Sequence, residues 1–139
     1  MNEYKAMKDR QQKRVNEFPA MFAFNENQFS EGLRKLNTTK KDLVSIGAGG
    51  FIRRKDAPAF LQMLADFRSE KAAAIAADKT GDGFIFEMFD YELANHEYSY
   101  TGDLADTLEA VELTPDEINE NPALLHGLQK AIAAQGEGL

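Results

Sequence analysis

The chain has 139 residues, a formal net charge of −7 and no cysteine. That length suits one domain with its own core, and the missing cysteines exclude disulfides, thiolate zinc sites, iron–sulfur clusters and cysteine nucleophiles. With 43% hydrophobic and 28% charged residues the composition is that of a globular protein, and no apolar run approaches the roughly 18 residues of a membrane helix.

In chain order, residues 2–17 predict a helix, because Tyr4, Met7, Gln11, Val15 and Phe18 recur at steps of three and four. Phe18-Pro19 ends it, since a residue before proline is pushed out of the helical region. Ala20 to Phe24 is a short apolar run, a strand or a buried connector. Asn25 with Gln28 gives a capping-box pattern for a helix to about Leu36, with Phe29, Leu33 and Leu36 on one face. Leu43–Ile46 and Phe51–Arg54 flank Gly47-Ala48-Gly49-Gly50 and predict a β-hairpin over 43–54, the glycines supplying the positive φ of the turn.

Asp56 is placed to cap a long helix with Pro58 in its first turn and a stripe of Phe60, Met63, Leu64, Phe67, Ala74 and Ile75. Thr80-Gly81-Asp82-Gly83 breaks that helix, and a second, Phe84 to Asn95, carries Ile85, Met88, Phe89 and Leu93. His96 to Tyr100 alternates loosely, as an edge strand would. Thr101 is the expected cap of a short helix with Leu104, Leu108 and Val111. Thr114-Pro115-Asp116-Glu117 is the clearest capping box, and Asn121-Pro122 opens the last helix with Leu125, Leu128 and Ile132 inward. The expectation is a helix-rich α+β fold: five to seven helices and a small antiparallel sheet, one domain over 1–139 with a frayed tail at 135–139. Because Met1 to Arg14 is polar and has no signal-peptide core, a cytoplasmic location is expected.

Charge is unevenly placed. Residues 1–77 hold 14 Lys/Arg against 9 Asp/Glu, whereas 78–120 hold 13 Asp/Glu and one cation, Lys79. Within the second stretch Asp103, Asp106, Glu109, Glu112, Asp116, Glu117 and Glu120 recur at steps of three or four, apart from the adjacent Asp116 and Glu117. On a helix such neighbours are about 5–6 Å apart and repel one another, although acids near helix starts are favourable. Either this segment folds against the chain's own cations, or it presents a solvated face for a basic partner. Arg53, Arg54 and Lys55 form the basic cluster placed for phosphate contacts, yet the overall acidity disfavours general nucleic-acid binding.

Three constellations bear on chemistry. Asp78-Lys79-Thr80-Gly81-Asp82-Gly83 resembles the start of a calcium loop, but position twelve is Phe89 where a bidentate glutamate belongs, so a helix-ending turn is expected. Glu92 and His96, four apart, would share a helix face, and with Asn95 and Tyr98 they suggest a polar network. A small enzyme using His96 for acid–base work, with Glu92 or Glu97 orienting it, is the corresponding catalytic alternative. Two ligands do not make a metal site, and no metal or cofactor is expected. The glycines at 47–50 precede strand-like residues where a phosphate loop needs a helix.

Phe18-Pro19-Ala20-Met21-Phe22-Ala23-Phe24, the Gly49-Gly50-Phe51 turn and Tyr91-Glu92-Leu93-Ala94-Asn95-His96-Glu97-Tyr98 resemble an uncharacterised family of small phage and mobile-element proteins, over roughly residues 3–133. The resemblance implies no fold, activity or site residues. It implies a partner class: small acidic proteins of that origin often block host defence machinery, CRISPR effectors included. The expectation is therefore a non-enzymatic, acidic binding module that occupies a basic protein surface. The runner-up is a nucleic-acid-associated accessory protein acting through residues 53–55.

Overall fold

Helix formation is set by local stop and start signals, and the computed structural model, which describes residues 2–137, places most of them as expected. The helices are α1 (Glu3–Glu17), α2 (Glu26–Lys35), α3 (Ala57–Ala77), α4 (Phe84–Asn95), α5 (Tyr98–Thr101), α6 (Ala105–Val111), α7 (Pro115–Glu120) and α8 (Pro122–Glu137). The strands are β1 (Ala20–Phe22), β2 (Leu43–Gly47) and β3 (Gly50–Arg53), antiparallel in the order β1-β3-β2. The fold is helix-rich α+β, with eight α-helices among the described residues, one above the expected range. The tail is helical through Glu137, and residues 138–139 of the expected frayed end lie outside the described residues.

The chain divides into two compact units, Met1–Gln11 with Ser69–Leu139, and Gln12–Arg68. In the second, the hairpin forms as expected. Val44 faces Ile52 and Ser45 faces Phe51, with a bulge before Gly47. Gly47, Ala48 and Gly49 all take positive φ through the turn, the backbone that suits the strands' twist. Ile52 and Met21 are buried, and a side chain at Gly32 would strike Met21, so α2 lies close on β1. Asn25 caps α2 by accepting the Gln28 N–H at 2.8 Å, but Gln28 reaches back to the Phe24 N–H, not to the cap itself. Asp56 likewise does not serve as the expected cap: its carboxylate is held by Arg53 Nε at 2.7 Å.

The first unit is built around α4. Its Ile85, Met88, Phe89 and Leu93 are fully buried, with Tyr4 and Met7 of α1, Val111 of α6, Ile118 of α7 and Leu124, Leu128 and Ala131 of α8 in the same cluster. α4 meets α8 closely because Gly127 has no side chain; a Cβ there would lie 2.5 Å from Ile85 Cγ2. Burial of a single large side chain of this kind is worth about 2 kcal/mol.

Two local expectations fail here. Residues 96–100 are not an edge strand: α4 ends at His96, Glu97 turns left-handed at φ 57°, and the Tyr100 and Thr101 N–H groups both bond the Glu97 carbonyl. The Tyr98/Tyr100 alternation mimics a strand, but the backbone satisfies itself locally. Thr101 ends α5 and does not cap α6; it accepts the Asp103 N–H, and Asp103 in turn accepts the Ala105 N–H at 2.8 Å. The Thr114–Glu117 capping box and the Asn121 cap of α8 form as expected.

Candidate functional site

The acidic segment folds as two short helices whose inner residues are core and whose outer residues are carboxylates. Thr107, Val111 and Ile118 are buried, while Asp103, Asp106, Glu109, Glu112, Asp116, Glu117 and Glu120 are all exposed. Two of the seven have structural tasks: Asp103 holds the start of α6, and Glu117 closes its capping box on the Thr114 N–H at 3.1 Å. Among the described residues, no hydrogen bond occupies the side chains of the other five, and no ion pair includes any of the seven.

The five cations of α1 are engaged elsewhere. Lys5 pairs with Asp9, Lys8 approaches Glu92, Arg10 pairs with Glu70, Lys13 with Glu17 and Arg14 with Asp66. Lys71 is the cation that bears on the segment. Its Nζ donates to the Val111 carbonyl at the end of α6, where a positive charge meets the helix dipole favourably. Burial lowers the affinity of that amine for its proton, and Glu112 and Glu117 only partly oppose this. It fixes the end of α6 without neutralising the carboxylates. Just before the segment, Tyr100 projects with 86% of its surface exposed.

The structure does not bring Glu92, Asn95, His96 and Tyr98 together. Glu92 is 2% exposed and accepts the Tyr4 hydroxyl at 2.6 Å, with Lys8 Nζ at 4.0 Å. Burial pushes the Tyr4 phenol far above its ordinary range, and the bond to Glu92 pushes it further, so Tyr4 remains a donor. Among the described residues no side-chain hydrogen bond joins Asn95, His96 and Tyr98, and His96 is the residue that terminates α4. The Tyr4–Glu92 pair closes a gap of 88 residues, and nothing in the local pattern of either residue signals the other.

At 78–85 the geometry is that of a turn. Asp78 accepts N–H groups from Gly81, Gly83 and Ile85 at 3.0–3.1 Å, tying the loop to the first turn of α4. Partial burial raises its carboxyl pKa, but these bonds and the Thr80 hydroxyl outweigh it, and the net shift is downward. Asp82 is met by His126 Nε2 at 2.7 Å and Lys130 Nζ at 3.2 Å, and His126 foremost holds its carboxyl below the ordinary value. The acids of the calcium-like stretch thus face donors and cations. Among the described residues no group of three or more His, Asp or Glu is arranged to hold a metal.

Arg53, Arg54 and Lys55 follow one another off the end of β3, and all three line a cleft of about 540 Å³ with Asn37, Thr38, Thr39 and Asp42. The basic cluster was legible in the sequence. The opposite wall was not, because Asn37 and Thr38 carry no charge or motif.

Among the described residues, no helix is long and apolar enough to cross a membrane. A family model described as a family of unknown function (DUF7659) matches residues 3–134. No curated protein and no solved structure matches the chain.

Proposed function

The chain belongs to DUF7659, a family of unknown function, and we propose that it is a non-enzymatic binding module whose acidic segment docks on a basic surface of another protein. One observation supports this above the rest: the carboxylates of α6 and α7 are exposed and enter no ion pair among the described residues, while the cations of α1 pair with other acids. Clustered like charges destabilise the short helices that carry them. Their gain lies in association, where a complementary charged surface raises the encounter rate and sets the orientation of docking. Tyr100 beside them supplies an aromatic anchor of the type that dominates interface energetics.

In its finer form the reading is a phage-type, anti-CRISPR-like inhibitor whose carboxylate row occupies a nucleic-acid channel of a host defence effector. Carboxylates about 5–6 Å apart present a charge density that such a channel is built to bind.

The test reverses the acids that have no structural bond. The triple variant Asp106→Lys, Glu109→Lys, Glu120→Lys and the wild type are titrated with an arginine-rich peptide at two salt concentrations. Both are then assayed for block of target cleavage by an RNA-guided nuclease. The wild type is expected to bind saturably and more weakly at high salt, and the folded variant to lose binding and block together. Equal peptide binding by the two proteins would overturn the docking reading. Peptide binding by the wild type without block of the nuclease would overturn the anti-CRISPR form alone.

A further inference from the structure

We propose that the cleft between residues 37–39 and 53–55 binds a phosphate group, held by the guanidinium groups of Arg53 and Arg54, the ammonium of Lys55 and the hydroxyl of Thr38. The cleft, about 540 Å³, is within the range of small-ligand sites and larger than a phosphoryl group alone. It therefore leaves room for the substituent of a phosphate ester or a second phosphoryl unit.

The wall at 53–55 is arranged before any ligand arrives. Arg53 Nε is fixed by Asp56 at 2.7 Å and Nη1 donates to the Leu36 carbonyl at 3.3 Å. Those two bonds use two of five guanidinium donors and leave the rest of the fork for another acceptor. Arg54 Nη2 donates to the Lys41 carbonyl at 3.2 Å, which anchors that side chain in the same way. Anchored guanidinium groups lose little freedom on binding, and their planar forks match phosphate oxygens in pairs. Among the described residues Lys55 enters no ion pair and the Thr38 hydroxyl no hydrogen bond.

Three cations and one carboxylate, Asp42, line the cleft. Asp56, behind Arg53, offsets a second of the three charges, and the net positive charge that remains suits an anionic phosphoryl group. The site is in a different unit from the acidic segment, so it stands or falls independently of the docking reading.

The phosphoryl group has two sources, a small phosphate or pyrophosphate and the 5′-terminal phosphate of a nucleic-acid strand. The full chain is titrated with inorganic pyrophosphate while backbone amide resonances are followed by NMR. Saturable shifts centred on residues 37–39 and 53–55 are expected. Arg54→Ala removes a charge-assisted bond and should weaken binding roughly tenfold. Asp42→Asn removes the one carboxylate that lines the cleft and should tighten binding, an outcome that misfolding cannot produce. A 5′-phosphorylated oligonucleotide is then compared with its 5′-hydroxyl counterpart. Preference for the phosphorylated strand assigns the nucleic-acid source, and pyrophosphate binding without that preference assigns the small-molecule source. Pyrophosphate shifts that never saturate, spread over all lysines or ignore both substitutions would overturn the proposal.

Discussion

The two units of this chain differ in how they combine core and charge. Residues 1–11 with 69–139 bury twelve side chains in one continuous cluster and carry a net charge of −11. Residues 12–68 bury four large apolar side chains, Met21, Leu36, Ile52 and Met63, expose Phe22, Phe24 and Leu61, and carry +4. The better-filled unit is thus the one that sustains the larger self-repulsion. Its core offsets the cost, and Asp106, Glu109, Asp116 and Glu120 on α6 and α7 carry no hydrogen bond or ion pair among the described residues.

The most damaging way to break this comparison is to empty the core beneath α4. Phe89 is fully buried, so Phe89→Ala should cost about 4 kcal/mol. Leu61, 63% exposed in the other unit, should tolerate Leu61→Gln within about 0.5 kcal/mol. Urea unfolding of both variants checks the contrast, and similar losses would refute the difference in filling.

Next in size is the loop that starts α4. Asp78→Ala removes the acceptor for three backbone N–H groups and should cost about 2 kcal/mol at neutral pH. Its folded-state pKa is depressed from the ordinary 3.8. The stabilisation is therefore complete above that value and is lost as pH falls through the lower folded-state pKa. Thermal melts of the wild type and Asp78→Asn between pH 7 and strong acid should show a gap that narrows only below about pH 3.8. A gap that closes between pH 7 and 5 would assign the effect to another group.

What the sequence made legible follows the reach of each interaction. α4 was placed to the residue, because a glycine-rich break and an apolar stripe both lie within its own segment. The Thr114 box and the 43–54 hairpin are equally local. The Tyr4–Glu92 pair and the wall of the cleft at Asn37–Thr39 were invisible, since each joins segments with no mutual signature. The acidic residues themselves were plain. Their unpaired state was not, because it depends on where Arg10 and Arg14 find partners, and Glu70 and Asp66 are far along the chain.

The smallest expected effect concerns the strand that became a helix. Its cause is Glu97, a non-glycine residue at φ 57° in the position after a helix end where glycine is the usual choice. The left-handed backbone costs a residue with a Cβ about 1 kcal/mol. Glu97→Gly relieves that strain but loosens the unfolded chain, so a net stabilisation of about 0.5 kcal/mol is expected. The left-handed non-glycine residues of the acidic unit, Glu97 and Glu112, are exposed glutamates, and those of the other unit are Asn37 and Ala48. The urea midpoint of Glu97→Gly measures the stabilisation, and a destabilised variant would instead make the Glu97 side chain a structural support of the turn into α5.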